Sequence, residues 1–169
     1  MFKTPAFNPS EFSGKRAIVT GGSRGIGAAI VQRLLDGGAT VVTTARNATD
    51  ETPKAATFIQ GDISTLEGAQ AFAAAALDDL GGVDIVVNNA AAARAHLGGI
   101  SSIPDEEWLD ALDLNYLSAV RVTNALLPAL REAGAGSVIV NISSGAALTP
   151  APAWRSAGSS ALLTRTVER

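Results

Sequence analysis

Two kinds of apolar pattern alternate along this chain: short runs of β-branched and aliphatic residues, and longer stretches with apolar residues at helical spacing. Helices are predicted to begin near Ile26, Ser64 and Asp105, and the third is expected to extend to Glu132. Strands are predicted at residues 17–20, 40–44, 57–60, 84–88 and 137–142. Continuously apolar strands separated by helices form parallel sheets covered on both faces, so the pattern predicts a doubly wound α/β sheet.

The second predicted helix has clear signals at both of its ends. Ser64 and Glu67 have the spacing of a capping box, in which a hydroxyl and a carboxylate satisfy free amides of the first turn. Gly81 and Gly82 are expected to end this helix. Residues 47–55 follow neither periodicity, and we interpret them as a mobile loop.

The composition is that of an ordinary globular domain, with 169 residues, 47% of them hydrophobic and 17% charged. A net charge of −3 argues against a nucleic-acid partner, because phosphate contacts require a basic face. Without cysteine, disulfides and thiolate metal sites are excluded, and we expect no metal. No apolar run is long enough for a bilayer and residues 1–13 do not resemble a signal peptide, so we expect no membrane partner and a cytoplasmic location. We interpret 1–169 as one domain with an N-terminal extension at 1–13.

A glycine-rich turn at residues 20–27 joins the first predicted strand to the first predicted helix. Glycines there permit positive φ, let the backbone approach a diphosphate closely, and allow the helix to pack tightly on the strand. The helix N-terminus adds free N–H groups and a partial positive charge. A purely structural turn is the alternative, but the placement between strand and helix favours a nucleotide site. The residues expected to contact the nucleotide are Gly21, Ser23, Arg24, Gly25, Ile26 and Gly27.

The turn has the spacing T-G-x-x-x-G-x-G, which resembles the short-chain dehydrogenase/reductase family. Four further segments agree with that family in the same order along the chain. The run N-N-A-A at 88–91 is similar to the family's N-N-A-G segment, with Ala91 in place of the glycine, and N-I-S-S at 141–144 is similar to its fifth strand end. Asp62 corresponds to the acidic residue that contacts the adenine, and Asn115 to the active-site asparagine.

The resemblance implies a Rossmann-type oxidoreductase that transfers hydride between a nicotinamide cofactor and the carbon of a carbonyl or secondary alcohol. It implies that the Ser144 hydroxyl orients this small-molecule substrate and that Asn115 supports the proton relay. Asn115 also lies inside a predicted helix, where asparagine is a poor helix former, which suggests a purpose other than helix stability. The resemblance further implies a homodimer or tetramer, and cofactor contacts at Asp62, Ile63, Asn89 and Ala90.

The charges near the second strand favour NADP(H) over NAD(H). An NAD enzyme places a carboxylate at the end of that strand to hold the ribose 2′-hydroxyl. Here the position is Ala45, followed by Arg46, and Arg24 lies in the glycine turn on the same side. Two guanidinium groups without a carboxylate suit a 2′-phosphate, which arginine binds with its planar fork. The alternative is that both arginines are simply solvated.

The resemblance also implies a proton donor that this sequence lacks. In the family a tyrosine supplies the proton, and a lysine four residues later lowers the tyrosine pKa toward neutrality. The only tyrosine here is Tyr116, and the lysines all lie before residue 55. Aligning the neighbouring residues puts Arg155 and Ser159 at the two places. The family's usual separation from the serine puts Ala157 and Ala161 there instead.

Two interpretations therefore stay open. In the first, the protein is an oxidoreductase, and its tyrosine and lysine are missing from the given chain by truncation or omission around the active site. The family continues with a sixth strand and further elements, so the C-terminal part of the fold is then incomplete. In the second, the chain is a non-catalytic NADP(H)-binding module derived from such an enzyme. The absent pair favours the second interpretation, and the retained Ser144 and Asn115 favour the first.

Overall fold

A five-stranded parallel sheet forms the centre of residues 8–93 and 100–145, which the computed structural model describes. Its strands are β1 (Arg16–Thr20), β2 (Thr40–Ala45), β3 (Thr57–Gln60), β4 (Ile85–Asn88) and β5 (Val138–Asn141). They lie in the order β3-β2-β1-β4-β5. The predicted doubly wound α/β sheet is confirmed, and each described strand lies within two residues of its predicted position at both ends.

The described part of the chain has four α-helices, none of which is long and apolar enough to cross a membrane. They are α1 (Gly25–Asp36), α2 (Leu66–Leu80), α3 (Asp105–Leu112) and α4 (Ser118–Ala133). Of these, α1, α2 and α4 pack on the sheet. A π-helical turn, Asp113–Leu117, joins α3 to α4. The predicted helix from Asp105 to Glu132 therefore has the right extent, but its middle is wound differently.

Helix α2 begins one residue later than the capping-box pattern predicts. Its N-cap is Thr65, whose Oγ1 accepts a hydrogen bond from the Gly68 amide at 3.0 Å. Ser64 instead donates to the Asp62 carboxylate, from its amide at 3.0 Å and its hydroxyl at 2.7 Å. A carboxylate is a stronger acceptor than a hydroxyl, so these two bonds hold Ser64 outside the helix. The predicted end of α2 is confirmed, because Gly81 caps it with φ +67°.

The core lies on both faces of the sheet, since neighbouring residues of β1 point in opposite directions. Ile18 packs with Phe72 of α2 and Leu126 of α4 on one face. Val19 packs with Val31 of α1 on the other face, and these five side chains are almost fully buried. The central strand is thus covered by helices on both sides, which gives the end of β1 a rigid position.

The amino end of the sheet is held by an ion pair between Arg16 and Asp84. The Asp84 Oδ2 accepts from the Arg16 amide and from its Nε, both at 2.9 Å. The hydrogen bond from the Arg16 side chain holds the pKa of the Asp84 carboxyl below its ordinary value. At the same end, the predicted N-terminal extension contacts the domain through Phe12, whose amide donates to the Gly37 carbonyl at 2.7 Å. The opposite edge of the sheet carries the predicted site.

Candidate functional site

The predicted site lies at the carboxyl edge of the sheet, where the strand order reverses between β1 and β4. From β1 the chain continues through α1 to β2 on one side, whereas β4 is followed by β5 on the other side. In open α/β sheets such a switch point leaves a crevice between the strand ends, and ligands bind there. The glycine turn follows β1 and the segment N-N-A-A follows β4, so both motifs border this crevice.

The three glycines of the family pattern are needed for different physical reasons. A Cβ on Gly27 would lie 2.1 Å from the Gly21 carbonyl oxygen, so this position serves the close packing of α1 on the turn. Gly21 has φ +71°, and a Cβ there would lie 2.8 Å from the Cα of Ala90. Gly25 has φ +57°, but a Cβ there would meet no described atom within 4 Å beyond its chain neighbours. Gly25 is the first residue of α1, and the side of its backbone to which a Cβ would point faces open space.

Asn89 and Thr20 join the glycine turn to the end of β4. The Thr20 Oγ1 accepts from the amides of Asn89 and Ala90 at 3.0 and 3.1 Å. The Asn89 side-chain amide donates back to the carbonyls of Thr20 and Gly21 at 3.0 and 3.2 Å. Asn89, predicted to contact the cofactor, thus uses its amide group to hold the turn. The sequence motif included Thr20 as its first residue, but the contacts of its hydroxyl with the end of β4 were not predicted.

The N-terminus of α1 offers backbone N–H groups beside an exposed cation. Its N-cap is Arg24, whose exposed side chain makes no capping hydrogen bond. The Gly25 amide donates to Oε2 of Glu51 at 2.9 Å. Ser23 is buried, and its carbonyl accepts from hydroxyls of the loop between β2 and β3. Ile26, another of the predicted contacts, is exposed at 69%. Nothing in the sequence pattern indicated that this loop contacts the turn.

Arg46, Asp62 and Ile63 lie where β2 and β3 end. Arg46 follows β2, and its carbonyl accepts from the Gln60 side chain at 2.8 Å while its guanidinium side chain is exposed. Hydrogen bonds from Ser64 hold the pKa of the Asp62 carboxyl below its ordinary value, and the positive charge of Arg46 lowers it further. Asp62 is therefore anionic at neutral pH. Ile63, also predicted to contact the cofactor, packs in the core and is only 5% exposed.

Asn115 sits inside the π-helical turn and reaches the segment after β4. Its Oδ1 accepts from the Ala92 amide at 2.8 Å, and its Nδ2 donates to the Ala92 carbonyl at 2.9 Å. A π-helical turn shifts the backbone bonding by one residue, and such turns are frequent at functional sites. The same loop, 89–92, thus contacts the glycine turn at one end and the predicted active-site asparagine at the other.

Ser144 lies just beyond β5, exposed, at the same edge of the sheet. The strand before it is aligned with β4 by a hydrogen bond of 2.8 Å from the Asn88 side chain to Asn141. The structure thus places Ser144 after β5, Asn115 against the loop after β4, and the glycine turn after β1. The alternative tyrosine and lysine positions, 155 with 159 or 157 with 161, lie outside the described residues. No group of three or more potential metal ligands occurs among the residues that the structure describes.

Comparisons with known proteins agree with this architecture. Human dehydrogenase/reductase SDR family member 4 is 34% identical over 150 residues, which cover 83% of this chain and 53% of that protein. The 3-oxoacyl-(acyl-carrier-protein) reductase of Vibrio cholerae is 36% identical over 132 residues, covering 75% of this chain and 53% of that enzyme. This chain therefore spans about half the length of these relatives.

A solved structure is similar over a larger part of the fold. A short chain dehydrogenase from Burkholderia cenocepacia in complex with NADP superposes with a TM-score of 0.84 at 30% identity, covering 92% of this chain and 66% of that one. The family model for short chain dehydrogenases matches residues 15–161. This chain belongs to the short-chain dehydrogenase/reductase family of oxidoreductases, with its Rossmann-type fold.

Proposed function

We propose that this chain forms the nucleotide-binding part of an NADP(H)-dependent oxidoreductase acting on a carbonyl or secondary alcohol. The observation that carries the proposal is the glycine turn at the switch point between β1 and β4, where α1 begins at Gly25 and a Cβ on Gly25 would meet open space. The first amides of a helix and the positive end of its dipole form an anion site, and here the Gly25 amide already binds a carboxylate oxygen of Glu51. The tight fit of Gly21 and Gly27 keeps this edge of the turn in place.

The charges around the crevice support NADP(H) over NAD(H). Ala45 ends β2 where a carboxylate would hold an unmodified ribose, and the exposed Arg46 follows it. Arg24, also exposed, caps α1 in the glycine turn. Two guanidinium groups are suited to bind a phosphate on the 2′-oxygen. The NADP complex of the Burkholderia relative is in keeping with this choice.

The residues present fit a nicotinamide dinucleotide, because there is space beside Gly25 where a Cβ would point and the side chain of the N-cap Arg24 makes no hydrogen bond to the start of α1. The amides at the start of α1 would hold the diphosphate, Arg24 and Arg46 the 2′-phosphate, and Asp62 the adenine. When bound, the nicotinamide supplies or accepts the hydride. Ser144 would then orient the substrate oxygen, and Asn115, held by Ala92 in the loop after β4, would support the proton relay.

A second candidate function is NADP(H) binding without catalysis. The observation in its favour is that no tyrosine or lysine follows Tyr116 in the sequence. Tyr116 itself lies in the π-helical turn. Loss of a positioned proton donor lowers a rate by about a hundred- to ten-thousandfold. Single-turnover assays with excess protein, NADPH and a set of aldehydes and ketones separate the candidates: hydride transfer above the rate without protein supports the enzyme, and binding without transfer supports the module.

Titration of NADPH and NADH fluorescence tests the cofactor proposal. We expect Arg46→Asp to weaken NADPH binding by about tenfold, because a charged hydrogen bond contributes about 1.5 kcal/mol or more. NADH binding should change far less. Arg131→Asp is the control, since it makes the same charge change on the exposed last turn of α4. Equal loss of both nucleotides in Arg46→Asp, or no loss of NADPH, contradicts the proposal.

We also propose a homodimer or tetramer as the working assembly. The family resemblance supports such an assembly, and Leu109 on α3, which is 60% exposed, is a position at which a contact between subunits can be probed. Light scattering of the purified chain measures the assembly, and a monomer at micromolar concentration contradicts this part of the proposal.

A further inference from the structure

The loop between β2 and β3 lies across the glycine turn and bonds to it at two backbone groups. The Gly25 amide donates to Oε2 of Glu51 at 2.9 Å. The Ser23 carbonyl accepts from the hydroxyls of Thr49 and Thr52, the latter at 3.2 Å. Both groups belong to the segment that is expected to hold a nucleotide. The loop at 47–55, which the sequence pattern predicted to be mobile, therefore holds backbone groups of the turn in hydrogen bonds of its own.

The loop is shaped by its own hydrogen bonds, so the position of Glu51 is not that of an isolated surface side chain. Thr52 Oγ1 accepts from the Thr49 amide at 2.9 Å, and the Thr52 amide donates to the Thr49 carbonyl at 3.0 Å. The Glu51 amide donates to Thr49 Oγ1 at 3.2 Å. The two threonines thus form a turn that holds the backbone of Glu51 close to Gly25.

The bond between Glu51 and Gly25 places an anion at the N-terminus of α1. Gly25 is the first residue of α1, and its N-cap Arg24 provides no side-chain acceptor. A carboxylate is stabilised there by the same free amides and dipole that attract a phosphate. A carboxylate oxygen and a phosphate oxygen at the same N–H would repel each other, because both carry negative charge, so the two groups compete for the Gly25 amide.

We infer that Glu51 determines the affinity of the nucleotide site, because its carboxylate competes with a nucleotide phosphate for the Gly25 amide. This inference rests on the proposed function and adds to it that Glu51 weakens nucleotide binding. A nucleotide must displace the Glu51 carboxylate, so its apparent affinity is reduced by the fraction of molecules in which the contact is formed. The phosphate that displaces Glu51 is either the 2′-phosphate or the diphosphate, since both offer negatively charged oxygens to the Gly25 amide.

The test compares Glu51→Ala with Asp50→Ala. Asp50 is exposed on the same loop, and its carboxylate accepts no hydrogen bond within the described residues. Both variants therefore remove one negative charge from this loop, but only Glu51→Ala removes the bond to Gly25. We expect Glu51→Ala to tighten NADPH binding about tenfold, equivalent to about 1.4 kcal/mol at 25 °C. Asp50→Ala should change it less than about twofold, because exposed charges are well screened by salt. Glu51→Gln, which keeps an uncharged acceptor, should fall between wild type and Glu51→Ala.

The two nucleotides identify the competing phosphate. A larger gain for NADPH than for NADH in Glu51→Ala indicates the 2′-phosphate, and equal gains indicate the diphosphate. Unchanged or weaker binding in Glu51→Ala overturns the inference, since the loop would then support the turn rather than compete at it. If neither wild type nor variant binds either nucleotide, the proposed function fails as well.

Amide hydrogen exchange at Gly25, measured without nucleotide, tests the contact itself. We expect faster exchange in Glu51→Ala than in wild type, and no change in Asp50→Ala. Equal exchange in wild type and Glu51→Ala means that the carboxylate does not hold the amide. That result overturns the inference and leaves the proposed function standing.

Discussion

The ends of β1 and β5 lie at the same edge of one sheet, yet their surroundings differ greatly. β1 pairs with β2 on one side and β4 on the other, and Ile18 and Val19 are 0% exposed. β5 pairs with β4 alone among the described strands, and Val138 and Val140 are 47% and 39% exposed. The β1 side of the crevice, where we propose that the nucleotide binds, is therefore held by a core that the described residues complete. On the β5 side, the described residues leave the strand before the predicted serine partly exposed.

This difference is continued by the helices. On the β1 side, α1 packs directly on the strand, and Gly27 allows the contact with the turn. On the β5 side, Leu127 and Leu130 of α4 and Ile139 of β5 line a shallow open groove. A substitution should therefore cost more near β1 than near β5. Two comparisons of variants test which contacts hold the β1 side, and a third compares the two strands directly, from the largest effect to the smallest.

The largest effect is expected from Gly27→Ala. Its Cβ would lie 2.1 Å from the Gly21 carbonyl oxygen and 2.5 Å from the Asn89 side-chain nitrogen, so the backbone must move. We expect a loss of about 3 kcal/mol in the free energy of unfolding, measured by urea denaturation, together with loss of nucleotide binding. Gly25→Ala is the control, because only its positive φ opposes a Cβ, at a cost of about 1 kcal/mol. A cost for Gly25→Ala as large as that for Gly27→Ala would contradict this account.

The next effect concerns the hydroxyl that joins β1 to β4. Thr20→Val keeps the shape of the side chain but removes the acceptor of the Asn89 and Ala90 amides, so we expect a loss of about 2 kcal/mol. Thr44→Val is the matched control on β2. Its Oγ1 is buried without a hydrogen-bond partner among the described residues, so this change should be neutral or stabilise by up to about 1 kcal/mol. Thermal denaturation measures both variants, and equal destabilisation would disprove the assignment.

The smallest effect compares the two strands directly. Val19→Thr places a hydroxyl in the buried face of β1, and we expect a loss of about 1 kcal/mol. Val140→Thr makes the same chemical change on β5, where the side chain is 39% exposed, and should cost less than about 0.5 kcal/mol. Urea denaturation of both variants gives the comparison. Equal losses in the free energy of unfolding would show that β5 is as well buried in solution as β1, which would contradict the difference between the two strands.

Much of the fold could be predicted, because its signals are local. The β-branched runs locate the strands, and the glycines after α2 locate its end. The errors arose where two local signals compete: Ser64 fits a capping box, but the Asp62 carboxylate two residues earlier binds it, and Thr65 becomes the cap. The π-helical turn at Asn115 was not predicted, because a change of one residue in backbone bonding barely alters the apolar period.

By itself, the sequence determined that a parallel sheet forms, that a glycine turn follows its first strand, and which family the motifs resemble. These features depend on residues that are neighbours in the chain and on backbone freedom that only glycine provides. Only the tertiary structure decided what the turn contacts. Asn89 reaches the Thr20 carbonyl from 69 residues away and Glu51 reaches the Gly25 amide from 26 residues away. Such bonds form because the sheet brings the ends of separate strands together, and no local pattern records which side chains meet there.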